Sequence, residues 1–286
     1  MKNNLQNIIR LGKIAFINNS PIYYALESGI VSAPCHIVEG LPSQLNGLLS
    51  NDQLDMGPIS SLEYGRHYKD YLLLPHLSIS SYGPVGSVIL FSKVPIKELD
   101  GCPVLITSAS GTSQMLLRLA LEEYGVFPQY IEGEIHENLL EEEAVAGLTI
   151  GDLALRLKNN KHRFPYYLDL GEVWTGLTGL PFVFAVWAVK KALYTKCPET
   201  IHAVHRALLD SKTWGLNHLE AISHHICSRA NISPSQCKTY LQKLIFDFEE
   251  IHQQGLLLFF SHLSQRGVLQ SPVMLEFMED IKESNR

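Results

Sequence analysis

The run Phe182-Val-Phe-Ala-Val-Trp-Ala-Val189 constrains this chain more than any other feature. It is apolar, β-branched and aromatic throughout. It is too short to span a bilayer, which takes about 20 apolar residues. It reads as a strand buried on both faces. The Gly- and Thr-punctuated stretch before it, from Asp169 to Pro181, reads as a loop. A second unusual run is Leu77-Ser-Ile-Ser-Ser-Tyr-Gly-Pro-Val-Gly-Ser-Val-Ile-Leu-Phe-Ser92. The two runs, with an α/β unit between them, predict two lobes joined by two crossing strands. A small ligand would sit in the cleft between the lobes. The expected boundaries are 1–92 with 186–286 for the first lobe and 93–185 for the second.

Bulk properties narrow the function classes. A hydrophobic content of 46% is ample for a core, and a charged fraction of 18% argues against disorder. A net charge of −6 offers nucleic acid or an anionic membrane no general attraction. An anionic small molecule would have to be held by local donors. The five cysteines, Cys35, Cys102, Cys197, Cys227 and Cys237, are scattered and lack a Cys-x-x-Cys pair. They read as reduced thiols, mostly small core residues. The stretch Met1–Arg10 lacks the apolar segment of a signal peptide, so the expected location is the cytoplasm.

The first third alternates strand and helix. Leu11–Ile17, Cys35–Glu39 and Asp55–Ile59 read as strands. Helices are expected from Pro21 to Gly29, from Pro42 to Leu49 and from Leu62 to His67. The middle third repeats this, with strands at Val104–Thr107 and before Asp152, and a periodic helix over Gln114–Tyr124. From about Pro198 the periodicity is helical. The fold class is therefore α/β, with mostly parallel sheets and a helical C-terminal third.

Ligands of open α/β sheets bind beyond the carboxyl ends of the strands. Those positions carry Asn18, then Ser60 and Ser61, then Gly83. Thr107, Ser108, Ser110, Thr112 and Ser113 follow, and finally Gly151 and Asp152. These are small hydroxyls, amides and glycines with little charge. Several precede helices, whose free N–H groups and positive dipole ends can hold carboxylates without Arg or Lys. Each also has a plain reading. Ser60, Ser61, Thr112, Ser113 and Asp152 are good N-caps, Asn18 is a usual turn residue, and Ser87 is tolerated within a strand. Capping and ligand binding are compatible, because a cap can orient the amides that bind.

Other candidates carry less. His224 and His225 are adjacent and do not share a helix face, so no metal site is expected there. Glu141-Glu-Glu143 reads as a solvated face, and Trp174 and Trp187 as core. The dinucleotide fingerprint, the Walker loop, the Gly-x-Ser-x-Gly elbow and the His-Glu-x-x-His zinc motif are all absent.

A set of segments in consistent order now becomes specific. They are Gly12-Lys-Ile-Ala-Phe-Ile-Asn18 with Pro21, Pro42-Ser43 with Asn46, and Asp55-Met-Gly-Pro-Ile-Ser-Ser-Leu-Glu-Tyr64. Next come Ser80-Ser-Tyr-Gly-Pro-Val-Gly-Ser-Val88 and the Thr107–Ser113 turn. Ile150-Gly-Asp152, Asp169-Leu-Gly171 with Trp174, and Thr178–Trp187 complete the set. Over residues 11–190 the chain resembles the menaquinone biosynthesis family of the futalosine route.

The resemblance implies a two-lobed fold like type II periplasmic binding proteins. It implies a hydro-lyase that takes water from chorismate to give 3-(1-carboxyvinyloxy)benzoate, the first step of that route, with no metal or organic cofactor. Asn18 and Ser87 carry over as the working residues, with Asp152 a weaker candidate. Ser43 and Val85 join the donors above as substrate-binding positions. The expected partner is this small dicarboxylate alone, with no nucleic acid or membrane, in a monomer or homodimer. One alternative is the 1,4-dihydroxy-6-naphthoate synthase of the same pathway, which carries a His where this chain reads Gly151-Asp152. The other is a carboxylate-binding protein without chemistry, for which the fold serves equally.

Overall fold

The computed structural model describes residues 8–137, 144–158, 164–270 and 272–279; the expected acidic face at Glu141–Glu143 lies outside them. The chain opens with β1 (Ile9–Ile14), a 3-10 turn at Ile17–Asn19 and α1 (Ser20–Glu27). It continues through β2 (Cys35–Gly40), α2 (Pro42–Ser50), β3 (Met56–Ser60), α3 (Ser61–His67) and β4 (Tyr71–Ser81). It then crosses to a second sheet: β5 (Val88–Ser92), β6 (Pro103–Thr107), α4 (Gly111–Glu123), β7 (Gln129–Gly133) and β8 (Ala146–Ile150). After α5 (Gly151–Lys158), β9 (Tyr166–Asp169) and α6 (Leu170–Thr178) it returns as β10 (Phe182–Lys190). Helices α7 (Lys191–Lys196), α8 (Pro198–Asn217), α9 (Leu219–Ile226), α10 (Pro234–Leu241) and α11 (Glu250–Gln265) follow.

The first sheet has the order β2-β1-β3-β10-β4 and the second β7-β6-β8-β5-β9. Each holds a parallel trio, and in each the strand arriving from the other lobe lies antiparallel beside it. β10 pairs with both β3 and β4, so its two edges are satisfied and both its faces meet protein. Phe182, Val186 and Trp187 are buried there, each stabilising the fold by roughly 1.5–3 kcal/mol. The Trp187 indole donates to the Tyr23 hydroxyl at 3.0 Å. The C-terminal helices cover the first sheet: α8 packs along α1, where Tyr24 stacks on Trp214 at 5.7 Å. α11 brings Phe259 to 4.9 Å from Phe182.

Three expectations change. The Leu77–Ser92 run is not one strand, because β4 ends at Ser81 and β5 starts at Val88. Gly83 and Gly86 take φ of 91° and 78° in the turn between them, a left-handed backbone that a residue with a Cβ adopts at a cost. The stretch before β10 is a helix rather than a loop. Asp169 caps α6, and Gly179 ends it at φ 68°. Sheet membership also moves both lobe boundaries. Val88–Ser92 pairs in the second sheet and Phe182–Ala185 in the first, so the chain crosses at 82–87 and again through α6.

Candidate active site

The ends of β1, β3 and β8, the turn between β4 and β5, and the starts of α4 and α5 meet in one cavity between the sheets. Its polar lining is Asn18, Ser60, Ser87, Ser110 and Ser113, with Gly151 beside them. Phe16, Ile79, Val85, Ile150 and Phe184 form apolar walls. No charged residue lines it, and apolar walls with a few convergent polar groups are the usual make-up of a small-molecule site.

The local hydrogen bonds leave the donors aimed inward. Ser60 caps α3, accepting from the Glu63 N–H at 3.3 Å and from the Asn46 amide at 3.2 Å, so its own proton remains to be given. Ser110 caps α4, accepting from the Ser113 N–H at 3.3 Å, and its hydroxyl lies 3.1 Å from that of Ser113. The Asn18 carbonyl oxygen accepts from the Asn19 amide at 2.7 Å, which leaves the Asn18 amide group as a donor. Ser87 Oγ accepts from the Tyr240 hydroxyl at 2.9 Å, while the Ser87 carbonyl accepts from the Gly151 N–H at 2.8 Å.

The crossing turn that presents Ser87 is held by a buried carboxylate. Asp169 accepts from the N–H groups of Val85 at 2.9 Å and Gly86 at 2.7 Å. It also accepts from those of Gly171 at 3.2 Å and Glu172 at 3.4 Å. One side chain therefore caps α6 and pins the turn through which the chain first crosses.

Other contacts tie the lobes together. Asp152 accepts from the Ile17 N–H at 3.0 Å, holding the start of the 3-10 turn that carries Asn18. Burial pushes its carboxyl up from the usual range, and this hydrogen bond opposes the shift. Thr112 Oγ1 accepts from the Leu62 N–H at 2.8 Å, and the Ser43 N–H donates to the Ala109 carbonyl at 3.2 Å. Arg266 reaches Glu122 at 2.7 Å.

Of the expected residues, Asn18, Ser60, Val85, Ser87, Ser110, Ser113 and Gly151 come together in the cavity. Ser61 instead donates to the Val183 carbonyl at 2.6 Å. The Gly83 N–H donates to Thr175 Oγ1 at 2.8 Å, within the crossing turn. Thr112 and Asp152 serve as the caps just described, outside the cavity lining. Ser43, Thr107 and Ser108 line a neighbouring cavity that Phe16 and Ile150 divide from the first. Thr107 Oγ1 there accepts from the Ala109 N–H at 3.2 Å, a local turn contact.

The sequence reading gave no role to Asp169 or Tyr240. Asp169 had a signal, since Asp-Leu-Gly-Glu172 is a helix-start pattern. Tyr240 had none: it lies 153 residues from the serine it touches. His224 faces Glu220 at 3.4 Å, and His225 sets its edge on the Tyr24 ring. Among the described residues no group of three His, Cys, Asp or Glu could hold a metal ion. Trp174 and Trp187 are core. The cysteines are all unpaired, but only Cys237 is fully buried and the other four are half-buried, a correction to their expected core placement. No helix of the described residues is long and apolar enough to cross a membrane.

Residues 9–265 match the menaquinone biosynthesis family. A chorismate dehydratase of Thermus thermophilus is 31% identical over 265 residues, covering 87% of this chain and 93% of the relative. A crystal structure of an Archaeoglobus fulgidus protein superposes with a TM-score of 0.75 at 20% identity, over 93% of this chain and 100% of that one. A Candida albicans protein described as having the generic periplasmic-binding-protein fold superposes at 0.70 with 13% identity, over 97% and 99%. At these identities the two structures establish the fold alone: the two-lobed periplasmic-binding-protein type.

Proposed function

The chain belongs to the menaquinone biosynthesis family, and on that premise we propose that it removes water from chorismate to give 3-(1-carboxyvinyloxy)benzoate. The carrying observation is the lining of the cavity: uncharged donors from both lobes and the crossing turn, apolar walls, and no side-chain base.

Chorismate offers two carboxylates and a ring hydroxyl. Breaking the C–H bond at the ether-bearing carbon and the C–O bond of the neighbouring hydroxyl makes the ring aromatic, so the driving force is intrinsic. The ring carboxylate acidifies that proton through the conjugated diene. Hydroxyls of Ser110 and Ser113, with the N–H groups at the start of α4, stabilise the developing dienolate as preorganised donors. Ser87 and Asn18 orient the reacting carbon and hydrogen-bond the departing hydroxyl. The enolpyruvyl carboxylate takes the proton, which leaves with the hydroxyl as water, so no co-reactant is needed. Asp152 is not assigned as the base, because its carboxylate is engaged by Ile17.

Gly151 supports this reading over the naphthoate synthase. A Cβ built there lies 2.5 Å from the Phe16 ring, and φ is 63°, so a His in its place would displace the wall of the cavity. The unpaired thiols suit a reducing compartment, and we assign the reaction to the cytoplasm. One chain lines the whole cavity, so a monomer or a homodimer would serve equally.

The test is to mix the protein with chorismate and follow product by absorbance and NMR. Turnover is expected in the wild type. Asn18→Ala and Ser87→Ala should each lose about 100-fold in kcat, the scale of a missing transition-state donor. Thermal stabilisation by chorismate without turnover would instead mark a binding protein.

A further inference from the structure

We propose that Tyr240, on α10 of the C-terminal helices, is a positioning residue that sets the proton direction of Ser87. This role rests on the dehydratase reading and extends it to a part of the chain that contributes no lining residue.

A serine hydroxyl rotates freely and both gives and accepts, so an isolated Ser87 would spend part of its time pointing away from substrate. Tyr240 removes that freedom. Its hydroxyl donates to Ser87 Oγ at 2.9 Å in a buried contact. Ser87 Oγ, already an acceptor there, is left to donate, and it lies on the cavity wall. Accepting one hydrogen bond also polarises the O–H and strengthens the bond it gives. Burial pushes the phenol above its ordinary range, which keeps it a neutral donor at working pH.

The ring is also well placed to hold its position. Tyr240 is 6% exposed and packs under the crossing turn, where a Cβ on Gly86 would lie 3.6 Å from the ring. The Gly86 N–H is fixed by Asp169 and the Ser87 carbonyl by the Gly151 N–H. The backbone on either side of the contact is therefore pinned, and the hydroxyl pair is the adjustable part.

The experiment is a double-mutant cycle on chorismate turnover. Tyr240→Phe keeps the ring and removes only the hydroxyl. It should lower kcat about tenfold, the fold-change of one hydrogen bond, with KM changed less than twofold. In a Ser87→Ala background the same change should have no further effect, because the group it orients is gone. Replacement of Tyr240 by 3-fluorotyrosine, which retains ring and hydroxyl, should keep kcat within twofold. A structural role would instead show as a lowered Tm with kcat per folded molecule unchanged. Full kcat in Tyr240→Phe, or an equal loss with and without Ser87, overturns the role. Should Tyr240→Phe fail to fold, the fluorotyrosine protein decides: a fall in kcat well beyond twofold, despite an intact fold, also overturns it. A wild type that leaves chorismate unchanged overturns the dehydratase reading itself, and this role with it.

Discussion

The two lobes share one strand plan but secure their helix starts differently. In the second lobe, Ser110 caps α4 from its own chain position and meets Ser113 within the same turn. In the first lobe Ser60 likewise caps α3 from its own chain position, but two N–H groups near the cavity also borrow partners. Ile17 leans on Asp152 and Leu62 on Thr112, both from the second lobe. The second lobe thus carries a preformed set of donors, while the Asn18 turn is completed when the lobes meet.

This contrast can be broken at its hinge first. Asp169→Ala strips the partner from the N–H groups of Val85, Gly86, Gly171 and Glu172 at once. Removing a buried, multiply bonded carboxylate should cost about 3–5 kcal/mol, read by urea unfolding. Asp169→Asn, which keeps an acceptor, should cost less.

A smaller effect is expected at Gly151→Ala. The left-handed backbone and the clash with Phe16 should together cost about 1–3 kcal/mol, and the displaced ring should lower affinity for chorismate. Binding calorimetry beside thermal melts separates the two.

The mildest test concerns the borrowed cap. Burial raises the Asp152 carboxyl above its ordinary 3.8 in the folded protein, so the folded state holds that proton more tightly than the unfolded one. Its contribution to stability therefore grows as pH falls through the window that opens upward from 3.8, and shrinks as pH rises through it. Asp152→Asn, which cannot titrate, should lack that slope. Subtracting its unfolding curves from those of the wild type over this range isolates the effect, and a difference that rises with pH would contradict it.

Much of the fold was legible in particular residues. Phe182–Val189 carried its own burial, Pro21 and Pro42 marked helix starts, and Ser60 sits where a cap was expected, whereas Ser110 caps α4 in place of the expected Thr112 and Ser113. β7 and β9 were not. Gln129–Gly133 and Tyr166–Asp169 are short and half-exposed, without the apolar run or clean alternation that marks a strand. Their pairing with β6 and β5 makes them strands. The split of Leu77–Ser92 was hidden for the opposite reason, since apolar residues on both sides of Gly83–Gly86 masked the turn.

The candidate site divides along the same line. The hydroxyls and amides that follow each strand could be collected in order along the chain, because strand periodicity and helix caps are written within a few residues of one another. Which of them share a cavity could not. Ser61, Thr107 and Thr112 have the same chemistry and the same local setting as Ser60, Ser110 and Ser113, yet they lie outside the lining of that cavity. The amino-acid sequence by itself determined the αβ order, the buried crossing strand and the pool of uncharged donors, all short-range properties of a backbone that must satisfy its own hydrogen bonds. Only the tertiary structure decided which donors face inward, that Asp152 is a cap, and that Tyr240 reaches Ser87. Those depend on how two sheets close on each other, and contacts across more than a hundred residues of chain leave no periodic trace in it.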